Sequence, residues 1–372
     1  MSTNEDRSLH DKPTCSSRDH NELGQRLQQW MTATLGSDAD PQIGEVTTPS
    51  ASGVSSDTLL FDAAWTEAGK RREVPLVARI EPDKGDVCLF PDYNLEMEFK
   101  VMSLVGEHSD VPVPPTLWYE PDPSALGAQF IIMGRVNGRV PFDLPLYVME
   151  GWLLEASQEE QHELQEASIG ILAGIHGIDI NNHDVDFLQI NTAGETTLHR
   201  HFNKQLAYYD WVRGERVHPV IEDSIAWLKA NWPDMEGPDV ISWGDSRLGN
   251  VMYDGFQPVA VLDWEMASVA PREIDIGWMI YMHTFFQYVA EEMLGLPGLP
   301  DFLRAEDITA TYEKLTGHRI RNLHWFVTYA AALHAIIMSR HHARSVYFSE
   351  AEWPEDVDET IPQRELLRRF IR

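Results

Sequence analysis

The spacing of apolar residues divides the chain into a strand-rich first part and a helix-rich remainder. From 21 to 35 the apolar side chains recur at intervals of three or four, which predicts an amphipathic helix. Residues 42–80 contain short β-rich runs broken by turn residues, and they predict three strands. A helix over 94–105 and two strands over 116–120 and 129–133 complete this first part.

After a Gly-containing stretch at 134–138 the helical spacing dominates. Helices are predicted over 158–177, 198–213, 220–231, 273–293, 305–315 and 321–347. The pattern therefore predicts an α+β fold with a small β-rich N-terminal lobe and a larger, mostly helical C-terminal lobe. We expect a disordered polar tail over 1–20, a first lobe with its leading helix over 21–135, and a second lobe over 136–372.

Composition narrows the partners that this fold is expected to have. The 372 residues carry a formal net charge of -30, which repels nucleic acid and anionic membrane surfaces. The charge fits either a solvated acidic surface or a site that attracts a cationic substrate. The two cysteines, Cys15 and Cys88, indicate neither a disulfide framework nor a cysteine metal site. The N-terminus lacks the apolar core of a secretory signal, and the longest apolar run, of about 14 residues, is too short for a membrane span. We expect a cytoplasmic protein.

One hairpin is predicted to carry the chemistry. Two β-rich runs, 251–253 and 259–262, flank a turn-forming segment at 254–258, which indicates a hairpin with a loop of about five residues. Folding it about its centre pairs position 253 with 259 and position 251 with 261. Asn250 and Asp263 then lie side by side at the open end of the hairpin.

These two oxygen-bearing side chains suit a magnesium ion. Mg²⁺ binds one or two carboxylate or carbonyl oxygens and keeps its other positions for water and substrate phosphates. Asp245 precedes Asn250 in a short loop and could accept a proton from an attacking hydroxyl. Arg247 either neutralises charge on a transferred phosphoryl group or is a solvated loop arginine. Ordinary turn and cap residues are the alternative interpretation of the whole set.

The segments Asp245-Ser-Arg-Leu-Gly-Asn250 and Val261-Leu-Asp263-Trp-Glu265 resemble the catalytic loop and metal aspartate of the aminoglycoside phosphotransferase and choline kinase-like family. The subgroup related to the kinase-like domains joined to acyl-CoA dehydrogenases is nearest, and the resemblance covers about 40 to 350. It implies a two-lobed protein kinase-like fold that binds ATP, with GTP as the alternative nucleotide, together with Mg²⁺. It also implies Asp245 as catalytic base and Asn250 and Asp263 as the metal ligands.

The same resemblance implies a set of nucleotide-binding residues. Arg79 stands where these kinases hold the α- and β-phosphates, and Glu98 stands where its helix partner lies, although Glu98 falls off the apolar stripe of its predicted helix. Ser55 falls in the serine-rich flap over the phosphates. Met133 and Arg135 fall in the connector whose backbone is expected to meet the adenine. Arg79 and Glu98, each taken alone, also fit an ordinary surface charge.

Two further positions match the family in a supporting role. Asp275 resembles the helix aspartate that holds the catalytic loop, and His176 matches a family histidine loosely and is expected to have a packing role. Trp243 departs from the histidine that many members have before Gly-Asp, and Gly134 replaces an acidic connector residue. Neither departure removes the base or a metal ligand.

The resemblance thus implies an ATP-dependent kinase that phosphorylates the hydroxyl of a small molecule, an aminoglycoside or another hydroxylated metabolite. Phosphate would pass to an alcohol acceptor, with Asp245 as base. Two alternatives stay open at this stage: a catalytically silent nucleotide-binding protein of the same fold, and a metal-dependent hydrolase. A metal-dependent hydrolase would need more His or carboxylate ligands than this hairpin contains.

Overall fold

The structure is a computed structural model that describes residues 20–49, 57–82 and 87–372. Residues 1–19 of the expected tail and the flap with Ser55 lie outside the described residues, whereas His20 belongs to the first helix. The chain divides into two compact units. The first takes in the described residues up to Glu96 together with Thr116–Arg135 and Arg344–Ala351, and the second takes in Met97–Pro115, Val136–Ala343 and Glu352–Arg372.

A five-stranded antiparallel sheet forms the first unit, in the order β1-β2-β3-β5-β4. Its strands are β1 (Gln42–Ile43), β2 (Asp57–Glu67), β3 (Lys70–Ile80), β4 (Thr116–Glu120) and β5 (Phe130–Gly134). A two-residue turn joins β2 to β3, with positive φ at both Ala68 and Gly69, as tight hairpins require. The strands predicted for this part of the chain are confirmed.

The leading helix, α1 (His20–Leu35), covers one face of that sheet. Leu23, Leu27 and Met31 are buried along the helix at the predicted spacing. They pack in one cluster with the alternate inward-facing residues of β2, which include Leu59 and Phe61. Matching periods of 3.6 in the helix and 2 in the strand thus build the core of the first unit.

The rest of the chain is mainly helical. The helices that follow α1 are α2 (Leu95–His108), α3 (Trp152–Glu155), α4 (Gln158–His176), α5 (Thr197–Arg213), α6 (Pro219–Ala230), α7 (Glu273–Tyr288), α8 (Ala305–Thr316), α9 (Leu323–Tyr347) and α10 (Arg364–Phe370). Two short ribbons stand among them, β6 (Asp239–Ser242) with β9 (Ser268–Pro271) and β7 (Val251–Asp254) with β8 (Gln257–Val261). The α+β architecture predicted from the apolar spacing is confirmed.

The β7–β8 hairpin differs from the prediction in its turn. Val251 pairs with Val261 as expected, but Tyr253 pairs with Pro258 and not with position 259. The turn contains two residues instead of about five, because Gly255 takes a positive φ of 59° and Asp254 pairs with Gln257. A bulge beside Tyr253 takes up the extra residue and restores the register at the open end.

The interpretation of α2 also needs a correction. The predicted apolar stripe leaves Glu98 outside the buried face, whereas the structure buries Glu98 to 1% exposure. Val101, Met102 and Val105 are buried on the same helix, so the buried face is rotated toward Glu98. A carboxylate at a buried position is costly to desolvate, and it is retained where it has a specific task.

Candidate active site

The loop that carries Asp245 is held by one buried aspartate at the start of α7. The Asp275 carboxylate accepts hydrogen bonds from the backbone N–H of Trp243 and of Gly244, each at 2.8 Å, and from the Ser242 hydroxyl at 2.9 Å. Its backbone oxygen accepts from the Ser246 hydroxyl at 2.7 Å. The structure therefore confirms Asp275 in the loop-holding position that the resemblance implies.

Gly244 explains why the chain can turn toward Asp245 at this point. It has a φ of 90°, in the region that favours glycine. A Cβ at this position would lie 2.5 Å from the backbone oxygen of Met266 and 2.6 Å from its Cβ. Neither atom can move without shifting the segment that follows Asp263, so the loop requires glycine here.

Asp245 is surrounded by donors from three side chains. Its Oδ1 accepts from Trp278 Nε1 at 2.7 Å, and its Oδ2 accepts from Asn250 Nδ2 at 2.8 Å. Arg247 Nε lies 3.1 Å from Oδ1 and 2.9 Å from Oδ2, so one N–H is shared between the two oxygens. The carboxylate is thereby fixed in orientation and mostly removed from water.

Burial changes the acidity of this carboxyl. Desolvation and, after it, the negative charge of Asp263 raise the pKa of Asp245 to about 7, even though the bonds from Asn250 and Trp278 act in the opposite direction. A general base works best when its pKa lies near the pH at which it acts. The environment of Asp245 thus suits proton acceptance near neutral pH.

The open end of the hairpin carries Asn250 just before one strand and Asp263 just beyond the other. The Leu262 N–H donates to the Asn250 backbone oxygen at 2.8 Å, which places Asp263 one residue beyond the pair. Asp263 has a φ of 60°, a left-handed conformation that aspartate tolerates better than most residues. Such backbone conformations concentrate at functional sites, where the surroundings hold them in place.

The donor chemistry of this pair fits a magnesium ion. Asn250 uses its Nδ2 to donate to Asp245, both to the backbone oxygen at 3.0 Å and to the carboxylate, which directs its amide oxygen away from that loop. One amide oxygen and the Asp263 carboxylate make the small oxygen set that Mg²⁺ takes when phosphates and water complete its shell. In the part of the chain that the structure describes, no cluster of three or more His, Cys, Asp or Glu could hold a metal ion.

Arg247 makes a second ion pair, with Asp143. Asp143 comes from the segment before α3, and its carboxylate bonds to Arg247 Nη1. Gly249 leaves room for it, since a Cβ at 249 would lie 2.5 Å from Asp143 Oδ2. The guanidinium is therefore engaged by two carboxylates, and its predicted contact with a phosphoryl group stays a prediction.

The predicted nucleotide-binding residues fall into separate parts of the molecule. Arg79 lies on β3 opposite Ile131, and Met133 is buried on β5 opposite Val77, both in the first unit. Arg135 follows β5 and donates to Asp62 at 2.6 Å. Glu98 belongs to the second unit, as do Asp245, Arg247, Asn250 and Asp263.

Three residues of the site have contacts that the sequence interpretation missed. His176 Nε2 lies 2.9 Å from Asp275 Oδ2, and its Nδ1 lies 2.7 Å from the Tyr312 hydroxyl, so this packed histidine also supports the loop-holding aspartate. Trp278 contacts Asp245 directly. It lies one helical turn after Asp275, and this i, i+3 spacing is a signal that could have identified it. Asp143 has no such signal, because its segment has no regular pattern.

The comparisons with known proteins agree with this geometry. The family model described as "Phosphotransferase enzyme family" matches residues 49–307, more than half of the chain. The chain belongs to the phosphotransferase enzyme family. The matched range includes Asp245, Asn250 and Asp263.

The chain is also similar to part of two longer proteins that are named as acyl-CoA dehydrogenases. It is 24% identical over 226 residues to a protein of Arabidopsis thaliana named "Probable acyl-CoA dehydrogenase IBR3". The alignment covers 56% of this chain and 26% of the relative. It is 26% identical over 220 residues to the human acyl-CoA dehydrogenase family member 11, which covers 57% of this chain and 27% of the relative. The chain thus spans about a quarter of the length of these relatives.

Solved structures confirm the two-lobed, kinase-like fold of the aminoglycoside phosphotransferases. A Ralstonia eutropha protein assigned to that group superposes with a TM-score of 0.65 at 20% identity, over 93% of this chain and 96% of the other. The enzyme APH(4)-Ia, in a ternary complex with ADP and hygromycin B, gives a TM-score of 0.51 at 13% identity, over 92% of this chain and 98% of the other.

Among the described helices, none has the length and apolar character needed to cross a membrane.

Proposed function

We propose that this protein is an ATP-dependent O-phosphotransferase that moves the γ-phosphate to a hydroxyl of a small molecule. The observation that carries the proposal is the Asp245 carboxylate, held by Asn250 Nδ2 at 2.8 Å beside the hairpin end that presents Asp263. The proposed base, Asp245, is thus hydrogen-bonded directly to Asn250, one of the two proposed metal ligands. That arrangement serves in-line transfer to a hydroxyl, in which the acceptor and the phosphate must be positioned together.

Each residue of the second unit has a defined task in this proposal. Asp245 accepts the proton of the acceptor hydroxyl through Oδ1 or Oδ2 while the hydroxyl oxygen forms a bond to the γ-phosphorus. The bond between the γ-phosphorus and the β–γ bridging oxygen breaks, and ADP leaves. Asn250 orients the base through its Nδ2 and would hold Mg²⁺, together with Asp263, through its oxygen. The ion, when bound, neutralises charge on the phosphates. Arg247 contributes positive charge beside the base.

The nucleotide contacts of the proposal come from the first unit and from α2. We assign Arg79 to the phosphates and Glu98 to the task of fixing that arginine, as in kinases of this fold. The backbone around Met133 and Arg135 is assigned to the adenine. Ser55, outside the described residues, is assigned to the flap over the phosphates. ATP is the proposed nucleotide and GTP the alternative, because ADP occupies the related APH(4)-Ia and GDP a second related enzyme.

A less polar alcohol is favoured over an aminoglycoside as the acceptor. The segment that supplies Asp143 exposes Phe142 to 45% and Leu144 to 74%, which gives this edge of the site an apolar surface. The relatives from Arabidopsis and human are acyl-CoA dehydrogenases, which act on acyl compounds by their names, whereas APH(4)-Ia binds hygromycin B. The net charge of -30 supports the cationic aminoglycoside as the second candidate.

A screen for acceptor-dependent ADP release tests the proposal. Wild-type protein with MgATP is offered two sets of compounds, aminoglycosides and hydroxylated acyl or alcohol metabolites, and Asp245→Asn serves as the base-deficient control. We expect turnover with a member of the second set and a loss of about 10²–10⁴-fold in the variant. Nucleotide binding by both proteins without turnover on any compound would instead support the silent nucleotide-binding protein.

A further inference from the structure

Trp278 is the least exposed of the three donors to Asp245. It lies on α7, is 4% exposed, and its indole N–H points at Asp245 Oδ1 from 2.7 Å. The ring is fixed by edge contacts with His334, whose centroid is 6.3 Å away, and by Tyr281 at 6.5 Å. Arg247, by contrast, has a side chain exposed to 23% and shares its Nε between two oxygens.

The burial of the indole makes the direction of this bond specific. A tryptophan in a core can be oriented by packing alone, but its N–H must then find an acceptor or be left unsatisfied. Here the acceptor is the carboxylate of the proposed base and not a backbone carbonyl. The indole has one N–H, so it occupies one lone-pair direction of Oδ1, and the shared Nε of Arg247 approaches both oxygens from another side.

Two fixed donors therefore define the plane of the carboxylate. Trp278 holds Oδ1 from α7, and Asn250 holds Oδ2 from the beginning of the hairpin. Both donors are buried and come from different elements, so rotation of the carboxylate about its Cβ–Cγ bond would break both bonds. Arg247 bonds to both oxygens from the edge between them, and its partly exposed side chain is not needed to define the plane.

We infer that Trp278 is a positioning residue for phosphoryl transfer, which acts through Asp245 by fixing the plane of its carboxylate. The inference rests on the proposed function, since it assigns a task within the same reaction. The competing interpretation is that Trp278 only fills the core beneath the loop, in which case the loss of its N–H would affect stability and leave the chemical step unchanged.

The chain offers a matched control for this distinction. Trp325 is 3% exposed, and its Nε1 donates to the Leu228 backbone oxygen at 3.0 Å. Trp325→Phe and Trp278→Phe thus make the same chemical change at equal burial, and they differ in the acceptor that loses its donor. Water serves as the phosphate acceptor, so the test needs no identified substrate, and Asp245→Asn measures how far MgATP hydrolysis depends on the same base.

The kinetic test compares MgATP hydrolysis by both variants alone and in the Asp245→Asn background. We expect Trp278→Phe to lower kcat about tenfold, with KM for MgATP changed less than about twofold, and Trp325→Phe to change neither. In the Asp245→Asn background Trp278→Phe should have no further effect on the residual rate. An unchanged kcat, or an equal loss in the Asp245→Asn background, would overturn the inference.

A spectroscopic test does not depend on turnover. With indole-¹⁵N tryptophan the protein gives signals from its 12 tryptophans, and the signal that disappears in Trp278→Phe identifies this residue. We expect Asp245→Asn to shift that signal strongly and the Trp325 signal hardly at all. A Trp278 signal unmoved by Asp245→Asn would overturn the inference. If Asp245→Asn shifts the Trp278 signal as expected but the wild type neither binds nor hydrolyses MgATP, the proposed function and the catalytic task of Trp278 are refuted. The contact between Trp278 and Asp245 is then still established.

Discussion

The catalytic loop of the second unit and the strands of the first unit hold their proposed functional residues in different ways. Asp245 is fixed by side-chain hydrogen bonds from Trp278, Asn250 and Arg247, and its loop is fixed by the buried Asp275. Arg79 and Met133 are instead placed by the backbone register of β3 with β5. The first arrangement depends on individual polar groups, whereas the second depends on a sheet that tolerates many side chains.

This difference predicts where single substitutions have the largest structural effect. In the loop, one lost carboxylate leaves several buried donors without an acceptor. On the strand, a changed side chain alters binding and leaves the fold intact. Three predictions test the comparison, in order of decreasing effect.

The largest effect is expected from Asp275→Asn. The variant loses the negative charge that faces His176 and turns an N–H group toward the donors of Trp243, Gly244 or Ser242. We expect the free energy of unfolding to fall by about 3–5 kcal/mol, as for other broken buried polar pairs. Urea denaturation measures it.

The control for that substitution is Asp307→Asn, which breaks a partly exposed ion pair with Arg304 at 2.7 Å. It should cost less than about 1 kcal/mol. Equal losses in the two variants would remove the distinction between the buried loop support and an ordinary surface pair.

The second effect concerns nucleotide affinity and the strand β3. We expect Arg79→Ala to weaken MgATP binding by about 10–100-fold, because the side chain is proposed to bind phosphate, while the backbone pairing of its strand is kept. Arg72→Ala, on the same strand with an exposed side chain, should retain wild-type affinity. Calorimetric titration with MgATP separates the two. Similar affinities in both variants would refute the assignment of Arg79.

The third effect is a pH dependence of stability in the second unit. Burial lowers the pKa of His201 and of His334 to about 3 and that of His283 to about 4. The unfolded chain therefore binds more protons than the folded one between about pH 4 and 6.5, and stability must fall as the pH decreases through this window. Asp245 has the opposite sign there, because its raised pKa favours the protonated folded state.

Three histidines outweigh one aspartate in that balance, and each contributes about 1–2 kcal/mol between pH 6.5 and 5. The free energy of unfolding, measured by urea titration, should thus be lower at pH 5 than at pH 6.5. His334→Gln should reduce this difference, whereas His162→Gln, at an exposed position on α4, should not. A stability that rises on acidification would contradict the buried neutral state of these histidines.

The same contrast explains how far the sequence could predict the molecule. Helices and strands followed from the apolar period, since each element buries one face. The location of Asn250 and Asp263 at the open end of one hairpin was predictable because a hairpin fixes register locally, even though the turn has two residues and the bulge at Tyr253 was not foreseen. Local rules describe neighbours in sequence well.

Contacts between distant segments were not predictable in this way. Asp143 reaches Arg247 across 104 positions, and no period or motif marks it. The burial of Glu98 was missed because hydrophobic periodicity treats every carboxylate as exposed. Trp278 was recoverable only by combining the known role of Asp275 with helical spacing. Contacts in a functional site between residues far apart in the sequence therefore cannot be predicted from local sequence patterns alone.

Magnesium-dependent ATP binding tests the central claim most directly. The wild type, Asp263→Ala and Asp254→Ala are titrated with ATP, with and without Mg²⁺, while the melting temperature is followed; Asp254 is an exposed acid at the far end of the same hairpin. We predict a magnesium-dependent rise in melting temperature for the wild type and for Asp254→Ala, and the loss of that rise for Asp263→Ala. No rise in the folded wild type, or an equal rise in all three proteins, would contradict the account.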